Sequence, residues 1–224
     1  MSLRASTRRG YALGSVATGT FGTVPGLLLL PYLTDSLGIA AGLAGVIVFA
    51  PKAWDVVLNP IAGRISDRSD SPRGRRRPFL LRGGVALALA FALLFAGPAA
   101  PPLIAGGWVV VLFLACATAY AFFQVPYVAM PAEITADPAE RTRLMTWRVV
   151  VLALAILLSG ATAPLVVASF GYPAMGAYIG LVLLAGVVGA YVGTRHAPTG
   201  PSVPSGGSLR DQLRLVAADA DYHR

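Results

Sequence analysis

The sequence predicts an all-α membrane protein with six transmembrane helices, and three observations carry that prediction. Of its 224 residues 56% are hydrophobic and 12% charged, against about 25% charged in soluble domains. The mean hydropathy is +0.69. Six apolar runs each reach the roughly 20 residues that a helix needs to cross a hydrocarbon core of about 30 Å. They cover approximately Tyr11–Leu33, Ala41–Gly63, Phe79–Gly97, Leu103–Met130, Met145–Phe170 and Pro173–Thr194.

The first run follows Arg4, Arg8 and Arg9, is too long for a signal peptide and lacks a small-residue cleavage site, so it is expected to stay as a span. Its glycines, Gly10, Gly14, Gly19, Gly22 and Gly26, suit close helix packing. The second run carries Pro51 and Pro60, each of which removes a backbone donor. It also holds Lys52 and Asp55, the formal charges deepest in any run, together with Asn59. At i, i+3 and i+7 these three fall on one helical stripe. Because a charge at the bilayer centre costs about 2.5–3.5 kcal/mol, such residues usually face a pathway or one another.

The third run starts after a basic connection, and the fourth holds the lone Cys116, read as a small packing residue. The fifth opens close to Arg148, and the sixth is followed by a Pro/Gly/Ser-rich stretch. Two domains follow from this pattern: a six-helix unit over 1–196 and a flexible cytoplasmic segment over 197–224.

All 17 arginines lie in the termini, in the connections after spans two and four, or at the adjoining span ends. The opposite connections hold one charge, Asp35, and no basic residue. The positive-inside rule therefore places both termini in the cytoplasm. The net charge of +8 is accounted for by a basic rim against the lipid bilayer, without nucleic acid. His196 and His223 both fall in the tail, and neither a nucleophile–base pair nor a metal-ligand spacing appears, so no enzyme is expected.

The connection Gly63-Arg-Ile-Ser-Asp67-Arg68…Arg73-Gly-Arg-Arg-Arg-Pro78 resembles the signature between helices two and three of the major facilitator superfamily. Together with Lys52-Ala-Trp54-Asp55-Val-Val-Leu-Asn59-Pro60 upstream and Gln124-Val-Pro-Tyr127 through Arg148 downstream, the chain is similar to the glycoside-pentoside-hexuronide:cation symporters, the melibiose permease-like branch. The resemblance implies one six-helix half, built of 3+3 inverted repeats, of a twelve-helix fold with its sites near the midplane. The partner would then be a missing C-terminal half or a second copy of the chain.

By the same resemblance Asp55, Asn59, Gln124 and Lys52 would form the cation or proton site. Trp54, Tyr120, Tyr127 and Arg148 would meet a small solute, a sugar or glycoside. Gly63, Asp67, Arg68, Arg73, Glu133, Asp137 and Arg141 would gate the cytoplasmic side of a bacterial plasma membrane. No cofactor is implied beyond a coupling proton or Na+. Asn59 and Gln124 stand where the family carries acids, which lowers the negative charge offered to bare sodium. Gly19 and Val128 replace family sugar ligands. A lipid or amphiphile carrier and a non-transporting six-helix scaffold stay open as alternatives.

Overall fold

The computed structural model describes residues 3–69, 76–98, 100–195 and 197. Arg73 and all of the segment 197–224 except Ala197 lie outside the described residues. The described chain is helical throughout, with α1 at Ala5–Pro31, α2 at Ala41–Asp67, α3 at Arg77–Leu94, α4 at Pro102–Ile134 and α5 at Pro138–Gly193. All five are long and apolar enough to cross a membrane.

The count differs from the six separate spans expected. Spans five and six are joined in α5, whose 56 residues would measure about 84 Å as one straight helix, well over twice the hydrocarbon thickness. The break is Gly171, at φ 81° and ψ 174°, non-helical and in a region that favours glycine. It divides α5 into a first arm, 138–170, and a second arm, 172–193. No loop separates them, so the expected two-residue connection shrinks to one backbone reversal.

Helix ends also extend past the apolar runs. Hydropathy marks where lipid stops, whereas caps and hydrogen bonds mark where a helix stops. Thus α5 starts at Pro138, seven residues before Met145, because Asp137 accepts the Ala139 N–H at 2.9 Å and Pro138 occupies a first-turn position. After Pro31 the chain winds into a π-helical turn, Tyr32–Ser36, closed by Leu37 N–H donating to the Tyr32 carbonyl at 3.1 Å. Gly38, at φ 67°, then ends the helix in the left-handed region.

Packing follows an internal symmetry. The helix α1 lies against both arms of α5: Gly19 meets Leu152 and Ala155 of the first arm, and Gly186 of the second meets Leu13, Val16 and Ala17. Correspondingly, α4 lies against both α2, through Gly63 and Val125, and α3, through Gly83 and Phe123. The α3 helix also packs on the second arm, where Gly180 approaches Ala88 and Ala92. Exchanging the first three spans for the last three maps this set of pairings onto itself. That is the pattern of two three-helix repeats, and it places α1 and α4 at the centre with α2 and the first arm of α5 outside them. The main core runs between α1, α3, α4 and the second arm of α5, with Leu29, Leu87, Phe91, Phe123 and Leu183 fully buried.

Candidate functional site

A cavity of about 190 Å³ opens between α1, α2 and α4. Phe21 and Pro25 line it from α1, Lys52 and Asp55 from α2, and Phe113 and Tyr120 from α4. The structure therefore brings together three of the residues singled out from sequence: Lys52, Asp55 and Tyr120. Pro51 also lines this cavity, and α2 continues through it.

Lys52 and Asp55 do not form an ion pair among the described residues, although each is within electrostatic reach of the other. The Oδ1 atom of Asp55 is buried and has no hydrogen-bond partner there. A buried carboxylate oxygen without a donor is costly, and it is chemically suited to a proton or a hard cation. Asn59, one turn along α2, is exposed and is not part of the cavity lining.

The wall toward the basic end of the bundle is a ladder between antiparallel α1 and α4. Phe21 packs on Tyr120 with ring centroids 4.7 Å apart. One turn on, the Thr18 hydroxyl donates to Gln124 Oε1 at 2.9 Å. A further turn on, Tyr127 stacks on Tyr11 at 4.7 Å and its hydroxyl shares a 2.9 Å hydrogen bond with Ser15. Gln124 is thus held outside the cavity lining by Thr18. Tyr127 is fully buried, with its ring clamped between Tyr11 and Phe123.

Arg148 sits on α5 with its guanidinium carbon 5.5 Å from the centre of the Tyr127 ring, a cation–π arrangement. Its Nε is buried without a hydrogen-bond partner among the described residues. Tyr120 lies within electrostatic range of both Arg148 and Asp55. Trp54, half exposed, turns its indole N–H to the Thr118 hydroxyl of α4 at 3.0 Å.

The residues assigned to gating separate into different roles. Arg76 is the hub: its Nη2 meets Asp67 at 2.7 Å and its Nε lies 3.3 Å from Glu133, joining the α2–α3 connection to the end of α4. Asp137 caps α5, and Arg141 donates from Nε to the Thr135 carbonyl at 2.9 Å, both local to the α4–α5 turn. Arg68 is the exposed C-cap of α2. Gly63 faces Val125 of α4, where an added Cβ would make an ordinary contact at 3.6 Å.

Sequence reasoning missed Arg76, Thr118 and the α1 polar residues. Tyr11, Ser15 and Thr18 stand at i, i+4 and i+7, a one-face spacing that was legible but outweighed by the glycines of the same helix. A second cluster, Glu140 bound by Arg143 at 2.9 Å and by Arg8 at 3.4 Å, was also missed. Arg77 donates to the carbonyls of Arg195 at 2.8 Å and Tyr191 at 3.3 Å, bringing positive charge to the C-terminal end of α5.

Comparison with known proteins gives a consistent picture. Residues 10–223 match the family model described as MFS/sugar transport protein. The chain is 34% identical over 224 residues to a protein of Escherichia coli (strain K12) named as the glycoside/cation symporter YagG, covering 95% of this chain and 48% of that one. It is 28% identical over 144 residues to the inner membrane symporter YicJ of the same organism, covering 63% and 31%. It is 30% identical over 148 residues to the glucuronide carrier protein homolog, also of that organism, covering 60% and 30%. The chain spans about half the length of the first of these relatives.

Proposed function

Because this chain belongs to the MFS/sugar transport protein family, whose members are transporters and not enzymes, we propose that it is the N-terminal half of a secondary active symporter. In this reading Asp55 takes up a proton or Na+, and a sugar or glycoside crosses with it by alternating access. The relatives named as glycoside/cation symporter and glucuronide carrier homolog support the solute class. The basic connections support a bacterial cytoplasmic membrane with both termini inside.

The observation that carries the reading is the unpartnered Oδ1 of Asp55 in a cavity between α1, α2 and α4. A structural ion pair would satisfy that oxygen, whereas a coupling carboxylate has to be free to bind and release its ion. The Phe21–Tyr120 pair beside it offers an aromatic wall on which a sugar ring can stack. Lys52, on the same cavity, adds a cation whose influence on Asp55 changes with the ion bound there. Motion of this half against a second one would open and close the cavity, and the Asp67–Arg76–Glu133 network holds the cytoplasmic end of α2, α3 and α4 together as they move.

Replacing Asp55 by Asn in the full-length protein and following ion-driven uptake of labelled glycosides into vesicles tests the proposal. Loss of accumulation with retained downhill exchange is expected. Undiminished accumulation removes Asp55 from coupling. The cavity is rich in apolar surface, with Phe21, Pro25, Val48 and Phe113, which supports an amphiphile carrier as the second reading. Competition of glycoside uptake by a lysolipid separates the two.

A further inference from the structure

We propose that Thr118 is a positioning residue for ion coupling, the acceptor that holds α2 on α4 so that Asp55 faces the cavity. The inference rests on the coupling role proposed above for Asp55.

The α2 helix is largely exposed within this half. Only 17% of its most apolar stretch is buried, the same share as in α5, against 39% for α3 and α4 and 50% for α1. Phe49 and Val56 on it are more than 70% exposed. Its apolar contacts fall on either side of Asp55: Ala44 and Ile47 join the main core, and Leu58 and Ala62 pack with Ala121 beside Phe122 and Val125. Between them none of residues 52–57 is buried, so no buried side chain of α2 determines its direction at Asp55 itself.

The Trp54–Thr118 hydrogen bond supplies that determination. Among the described residues it is the one side-chain hydrogen bond between α2 and α4. The Thr118 hydroxyl donates its proton to the Leu114 carbonyl at 2.8 Å, which commits it and leaves its lone pairs aimed at the indole N–H. Trp54 is the chain neighbour of Asp55, and neighbouring side chains on a helix diverge by about 100°. Pinning the Trp54 indole to α4 therefore sets the direction of Asp55, which is into the space shared with Phe113, Ala117 and Tyr120. Trp54 takes a positioning role through its N–H, distinct from the solute-stacking role its ring suggested.

The test uses the full-length protein in a background where every tryptophan except Trp54, Trp108 and Trp147 among them, is replaced by Phe, so that emission reports Trp54. Thr118→Val keeps the shape and removes the acceptor, and Thr118→Ser keeps the hydroxyl. Sodium alone and pH alone serve as ion probes, with a panel of labelled methyl glycosides as solutes. Thr118→Val is expected to raise the half-saturating ion concentration about tenfold, which corresponds to one hydrogen bond of about 1.4 kcal/mol. It should move the solute half-saturation much less and shift Trp54 emission, while Thr118→Ser restores both ion dependence and emission. Unchanged ion dependence in Thr118→Val overturns the proposal, as does an equal change in the ion and solute constants. If Thr118→Val does not reach the membrane, Trp54→Phe, which keeps a ring but lacks the N–H, must reproduce the ion effect; a wild-type ion constant there overturns it equally. An Asp55→Asn protein that accumulates normally sinks the coupling reading itself. Lost accumulation in Asp55→Asn beside normal behaviour in Thr118→Val sinks only the positioning role.

Discussion

Tyr11 and Tyr127 exchange hydrogen bonds: the Tyr127 hydroxyl donates to the Tyr11 main-chain oxygen at 2.8 Å, and the Tyr11 hydroxyl donates to the Tyr127 main-chain oxygen at 3.3 Å. Their rings stack between the two reciprocal bonds. This ties α1 to α4, the two central helices of the two repeats, at a level two turns from the cavity. Both residues are fully buried, so each hydroxyl depends on its partner for satisfaction.

The two bonds are unequal, and removing each hydroxyl in turn should show it. Tyr127→Phe loses the shorter bond and also the one shared with Ser15, and should cost about 1–3 kcal/mol. Tyr11→Phe loses only the longer bond and should cost less. Thermal unfolding in detergent measures both, and an equal or larger loss in Tyr11→Phe would contradict the geometry.

Glycine is required at position 10 by space. A Cβ there would run into the backbone of Gly193, and the reverse holds as well. Gly10→Val should therefore push α1 off the second arm of α5 and destabilise by about 2–3 kcal/mol. Gly45, whose Cβ would meet nothing within 4 Å, provides the contrast: Gly45→Ala should be close to neutral. The yield of monodisperse protein and its melting temperature together read the difference.

At Gly171 the requirement is conformational. A Cβ there would find only the Pro173 ring at 3.8 Å, but φ is 81°. Gly171→Ala should cost about 1–3 kcal/mol through the backbone alone. A second substitution of Pro173 by Ala, which removes the one nearby contact, should fail to recover the loss; recovery would indicate a steric origin.

Arg76 holds two acids through two different nitrogens, so lysine is a poor substitute. Arg76→Lys should behave nearly as Arg76→Gln does, at about 1 kcal/mol for partly exposed pairs. A double-mutant cycle with Asp67→Asn should give a coupling energy that shrinks as salt is raised. No measurable coupling at low salt would show that the bridge is incidental.

Much of this architecture was legible from the chain. The apolar runs located the spans because lipid thickness sets a minimum length for any helix that satisfies its own backbone. The pairing of Asp55 with Lys52 on one cavity was legible too, since a three-residue spacing on a helix admits little else. Asn59 was grouped with them by the same periodicity, yet it is not part of the cavity lining. A stripe on one helix does not say where a neighbouring helix stops. Nor did spacing disclose which of three consecutive arginines is described bridging Asp67 and Glu133, namely Arg76.

By itself the amino-acid order decided that the chain is helical, that it traverses a bilayer repeatedly, and that ionisable groups interrupt its second apolar run. Those properties follow from local sums of transfer energy and from backbone stereochemistry. Which helices touch was settled only by the folded arrangement: α1 between the arms of α5, α4 between α2 and α3, and Thr118 beneath Trp54. Such contacts join residues far apart in the chain, 40 positions for Gly83 and Phe123 and 64 for Trp54 and Thr118, and their energies depend on shape and hydrogen-bond direction across helices, which no local pattern encodes.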